Sequence, residues 1–160
     1  MQTQKPNLDV IDRFTDDYKF LSNFYVGEPI IYKTQLFASA EHLYMSLKTD
    51  DPQEAAWVAS APTPGEAKRR GQEVTLKSGW DTTGKRVLAM RVTVGQKFLQ
   101  DRQLQKKLLA TGDTPLVEGN HWHDNFWGKC TCGGPDCEGR GMNILGLILE
   151  ELRADLRKWS

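Results

Sequence analysis

The stretch PIIYKTQLFASAEHLYMSLKT, residues 29–49, carries the two kinds of secondary structure from which the fold class is read. Its first half reads as a short hairpin, with apolar runs on either side of Lys33 and Thr34. Its second half reads as a helix that Ser39 caps. Within that helix, Leu43 and Leu47 fall on one side. Glu41, Tyr44, Met45 and Lys48 fall together on another. A solvent face rarely mixes Tyr and Met with its charges, so this side reads as a pocket wall. The alternative is a Glu and a Lys placed at opposite ends of a helix to suit its dipole.

Further helices follow. QEAAWVAS (53–60) is one. TPGEAKRRG (63–71) begins another, with Thr63 as cap, Pro64 at the first helical position and Glu66 completing a capping box. Val87, Met90, Val94 and Phe98 recur at helical spacing, which predicts a long helix over 84–100. Asp101 caps the next helix, and Gly112 stops it. TPLVE (114–118) reads as a short strand, and the 120s and 130s read as loop. NILGLILEELRADLRKW (143–159) is the strongest helix, with Ile144, Leu145, Ile148, Leu149, Leu152 and Leu156 on its buried face. The expectation is a single α+β domain over residues 1–160, rich in helix, with a small sheet near the N-terminus.

Lys and Arg total 21, as do Asp and Glu, so a bulk electrostatic grip on nucleic acid is not expected. Lys68, Arg69 and Arg70 form a local basic cluster that a solvated helix face explains. No segment approaches the roughly 18 apolar residues that a membrane span needs. The opening MQTQKPNLDV lacks the build of a signal peptide. Three Cys is an odd count and fits a reducing, cytoplasmic setting.

Polar groups sit among aromatics in two places. KFLSNFY (19–25) sets Ser22 and Asn23 between Phe20, Phe24 and Tyr25. WHDNFWG (122–128) sets Asp124 and Asn125 among Trp122, Phe126 and Trp127. Flat faces beside hydrogen-bonding groups suit a planar heterocycle joined to a sugar.

Five motifs, FLSNFY (20–25), ASAEHLYMSLK (38–48), LLATGDTPLVEGN (108–120), WHDNFWG (122–128) and GMNILGLILEELR (141–153), come in the order and roughly the spacing of the NADAR or YbiA-like family. The chain resembles that family over about residues 14–157. The resemblance implies cleavage of an N-glycosidic bond, in either of two substrate classes. One is ADP-ribose on guanine of nucleic acid; the other is phosphorylated ribosylamino-pyrimidines of riboflavin biosynthesis. A domain that binds ADP-ribose or NAD-like ligands without turnover is a third possibility. The resemblance implies Glu41 as general acid/base, Lys48 as nucleophile and Asp124 as a second acid/base or ribose ligand. It implies substrate contacts from Ser22, Asn23, Phe24, Tyr44, Trp122, Trp127, Gly128 and Asn143, with a helix-capping role for Asn143 equally open. Neither route needs a cofactor.

The cysteines stand apart. Cys130 and Cys132 are separated by one residue and Cys137 lies five further on, which is poor spacing for zinc. The leading reading is three free thiols in a glycine-rich loop. A zinc site of Cys130, Cys132 and Cys137 with His121 or His123 is the weaker alternative.

Overall fold

The computed structural model describes residues 9–160. Residues 1–8, on which most of the signal-peptide reading rests, lie outside the described residues. The chain divides into two compact units. Each is described by itself.

The first unit is Asn23–Gln105. Strands β1 (Ile30–Tyr32) and β2 (Gln35–Phe37) pair antiparallel, Ile30 opposite Phe37 and Tyr32 opposite Gln35. Lys33 and Thr34 both turn with positive φ (46° and 66°), the twist that two-residue hairpin loops require. Ile30, Phe37, Ala40 and Leu43 form a buried cluster that joins the hairpin to the next helix.

Helix α1 (Ala40–Ser46) is capped by Ser39, whose Oγ accepts from His42 N at 3.3 Å. All seven of its residues are buried. The hairpin, α2 (Pro52–Ala59), α3 (Pro64–Gly71) and α4 (Lys85–Leu99) all pack on it. Two sequence expectations change here. Met45, read as pocket wall, packs on α3, because the Gly71 site leaves room for its side chain and a Cβ there would collide with it. Lys48, read as helical, stands beyond the helix end; its N–H bonds Met45 O at 3.3 Å and its carbonyl accepts from Lys77 N at 2.7 Å.

The caps follow the expected chemistry. Asp51 Oδ1 accepts from Gln53 N and Glu54 N at the start of α2. Thr63 Oγ1 accepts from Glu66 N at 3.1 Å, and Pro64 opens α3. Glu66 spends its carboxylate on Arg69 and Arg70. Asp101 Oδ1 accepts from Gln103 N and Leu104 N where α5 (Arg102–Ala110) begins.

The second unit comprises residues 9–22 and Lys106–Ser160. A 3-10 helix spans Asp16–Leu21. Ile11 bridges to Leu116, donating to Pro115 O at 2.9 Å and accepting from Val117 N at 2.8 Å. The strand expected over 114–118 is thus reduced to that bridge. Regular pairing starts just after it, where β3 (Gly119–Asn120) runs parallel to β4 (Lys129–Cys130). Helix α6 (Ile144–Trp159) buries Leu145, Ile148, Leu149 and Leu156 as its pattern predicts. It lies close to residue 116, since a Cβ at Gly146 would strike Leu116 O. Arg153, buried, donates to Thr111 Oγ1 at 2.9 Å and Thr114 O at 2.7 Å. The described residues are therefore α+β and rich in helix, with two very small sheets. No helix among them is long and apolar enough to cross a membrane.

Candidate active site

In the first unit Asn23 docks on the start of α1. Asn23 is buried; its carbonyl accepts from Glu41 N at 2.9 Å, and its amide reaches Met90 Sδ at 3.2 Å. Glu41 is buried in the first turn of α1, where the helix dipole favours a carboxylate. Tyr44, one turn on, is buried against Trp80, ring centroids 5.9 Å apart. Phe24 is exposed, with Lys68 Nζ 5.9 Å above its ring.

Lys48 is half-buried. Burial pushes its pKa below the ordinary 10.5, while the charges of Glu41 and Asp81 pull it back up. The first effect is the larger, so the amine is biased toward its neutral, nucleophilic form. A cleft of about 380 Å³ in this unit, lined among others by Tyr32, Leu47, Trp80 and Leu88, includes neither Glu41 nor Lys48 in its walls.

The structure adds a second lysine that the sequence reading missed. Lys97 is fully buried, and burial alone lowers its pKa to about 7. Its Nζ lies 5.5 Å from the Tyr25 ring centre and 5.2 Å from that of Phe98. Its signal was a cation on the apolar stripe of Met90, Val94 and Phe98. Between pH 7 and 10.5 the folded chain holds fewer protons at this site than the unfolded chain. Stability from Lys97 therefore rises with pH across that window. Below it, both states are protonated and the burial penalty is fully present. Comparing Lys97→Met with wild type by urea unfolding, the wild type should gain on the variant by several kcal/mol across the window, at about 1.4 kcal/mol for each pH unit climbed. A constant difference across that window would contradict this.

In the second unit, residues 120–128 form a tight polar turn. Asn120 Nδ2 donates to Asp124 O at 2.8 Å and Asn120 Oδ1 accepts from Asp124 N at 3.1 Å. Asp124 Oδ1 accepts from Phe126 N at 3.1 Å and Trp127 N at 2.9 Å. One carboxylate oxygen of Asp124 thus shapes the turn that presents Trp127. The Trp127 ring meets Phe126 edge-on at 4.7 Å. Trp122 is exposed. Gly128 is buried, and a Cβ there would strike Glu118 O, so the close approach requires glycine.

This turn also starts α6. The carbonyls of Phe126 and Trp127 accept from Ile144 N and Leu145 N, both at 3.0 Å. Those amides would otherwise be orphans of the helix N-terminus. Asn143 therefore makes no capping bond. It sits in the left-handed region at φ 54°, donates to Leu116 O at 2.8 Å and accepts from Glu118 N at 3.0 Å. Its amide holds the 116–118 segment, so the capping reading gives way to a bracing one. Ser22, half-buried, ends the 3-10 helix through its own N–H to Lys19 O at 3.0 Å.

The NADAR domain model matches residues 11–157. The chain belongs to the NADAR domain family. It is 38% identical over 143 residues to a riboflavin biosynthesis protein of Vibrio vulnificus, a match covering 89% of this chain and 37% of that protein. It is 33% identical over 144 residues to the N-glycosidase YbiA of Escherichia coli, covering 89% of this chain and 84% of the relative. The NMR structure of E. coli YbiA superposes with a TM-score of 0.80 at 30% identity, covering 99% of this chain and 91% of that one. This NADAR chain thus spans little more than a third of the Vibrio relative and most of the E. coli one.

Proposed function

We propose that this chain hydrolyses an N-glycosidic bond, and that its substrate is ADP-ribose joined to guanine in nucleic acid. The observation that carries the reading is the pairing on one short segment of a buried carboxylate, Glu41, with a half-buried lysine whose pKa is lowered by burial. Cleavage builds positive charge on the sugar and negative charge on the leaving nitrogen. Glu41 is assigned the proton transfers. Lys48, neutral, attacks the anomeric carbon of the opened ribose; the base departs with a proton, and water then hydrolyses the resulting imine to free the sugar and the amine. Asn23, Phe24 and Tyr44 are proposed to hold the ribose and the flat base. Recognition of the ADP-ribose itself asks for little grip on the strand, consistent with the equal numbers of acidic and basic residues.

A second reading, hydrolysis of phosphorylated ribosylamino-pyrimidines, is favoured by the name of the Vibrio relative. One experiment separates the two. The protein is incubated with an oligonucleotide carrying ADP-ribosylated guanine, and the mass is followed. Loss of one ADP-ribose is expected. An unchanged oligonucleotide together with turnover of the pyrimidine compounds would favour the second reading. Binding of ADP-ribose with neither reaction would make this a binding domain.

A further inference from the structure

Four side chains that the proposed chemistry does not use converge on one point in the second unit. The ligand atoms of His123, Cys130, Cys132 and Cys137 all lie within 4.8 Å of one another. His123 Nδ1 is 3.2 Å from the sulfur of Cys137, 3.7 Å from that of Cys132 and 3.8 Å from that of Cys130. A tetrahedron with zinc–sulfur bonds of about 2.3 Å and a zinc–nitrogen bond of about 2.0–2.1 Å sets nitrogen about 3.6 Å from each sulfur. We propose that these four residues hold one structural zinc ion.

The donor set selects the metal. Three thiolates and an imidazole suit zinc, whereas magnesium and calcium demand oxygen. Thiols are weak hydrogen-bonding groups, so three of them around an imidazole gain little without an ion. The spacing that reads poorly along the chain works in space for a local reason. Pairing of β3 with β4 sets the 121–128 loop beside Cys130. Gly133, at φ 78°, then turns the chain, and Cys137 N and Glu138 N both bond back to Gly134 O at 3.1 Å. That return delivers Cys137 to the cluster.

Supporting contacts surround the sulfurs. Gly134 N–H points to Cys132 Sγ at 3.4 Å. The Asn125 side chain accepts from Cys130 N at 3.0 Å. Such outer contacts orient metal ligands. His123 holds φ at 69°, a conformation that costs a non-glycine residue free energy and here aims its ring at the sulfurs. All four coordination positions come from protein, so the ion has no open position for substrate. Its role is to fasten His123, and with it the turn bearing Asp124 and Trp127, to the 130–137 segment. None of the three cysteines forms a disulfide, and the proposal takes up the weaker of the two sequence readings, with His123 rather than His121 as the fourth ligand.

Metal content tests this without reference to activity. The full chain, purified under reducing conditions from zinc-containing medium, should carry one zinc per molecule. The metal-free reduced chain should take up one cobalt(II), with sulfur-to-cobalt charge transfer and the strong visible bands of a tetrahedral site. Cys130→Ser and Cys137→Ser should lose both metals, whereas Ala substitution of His121 should keep them. A wild-type chain that holds no zinc and gives no tetrahedral cobalt spectrum overturns the proposal, whatever the folding of the variants. So does full zinc retention in Cys137→Ser.

Discussion

Glu41→Gln should cut turnover about a hundredfold to ten-thousandfold, the usual worth of a positioned general acid/base. The substitution keeps the shape of a side chain buried in the first turn of α1 and removes only its charge and its proton. The loss should appear in kcat, because an interaction made only in the transition state lowers kcat and kcat/KM together. The cost in stability is smaller. A first-turn carboxylate gains roughly 0.3–1 kcal/mol from the helix dipole, so thermal unfolding should shift by a few degrees at most. Single-turnover rates on the ADP-ribosylated oligonucleotide, with melting curves for both proteins, check both halves. Full activity in Glu41→Gln would move the proton transfers elsewhere. Asp124, which the family resemblance implies as a second acid/base, would be the next candidate.

Local signals in the sequence carried the fold well. Ser39, Thr63 and Asp101 each cap the helix their position announces, because a short polar side chain before an apolar-periodic run has few better uses. The stripe of α6 was equally plain. What the sequence concealed was non-local. Helix α1 looked amphipathic, yet all its residues are buried, since both strands of the hairpin and three helices pack round it. Asn143 read equally as a cap or as a ligand contact. The carbonyls that satisfy the first amides of α6 come instead from Phe126 and Trp127, some 18 residues back in the chain, and no helical period reveals them. Lys97 hid on an apolar stripe, where charge is expected to be absent. The cysteine cluster was hidden by its spacing, which makes sense only once β3 and β4 pair.

Lys48→Met should reduce turnover on the order of a thousandfold or more, as removal of a covalent nucleophile does. It should also remove any sugar adduct trapped by borohydride. Charge alone does not distinguish a nucleophile from a phosphate contact, but Lys48→Arg does. A guanidinium stays protonated and cannot form an imine, yet it binds phosphate well. A nucleophilic Lys48 thus predicts that Arg is as inactive as Met, whereas substantial activity with Arg would reduce Lys48 to a contact. The pH profile gives a second readout. Only the neutral amine attacks, so the rate should climb with pH and level off above the Lys48 pKa. Burial lowers that pKa, so the levelling point falls below the ordinary 10.5. Neutralising Glu41 removes the largest charge holding the pKa up, and the point should then fall further. Mapping the trapped sugar decides between Lys48 and Lys97. An adduct on Lys97 in place of Lys48 would transfer the nucleophile to the side chain whose pKa is already near 7. An adduct on neither would leave the reaction to Glu41 and water.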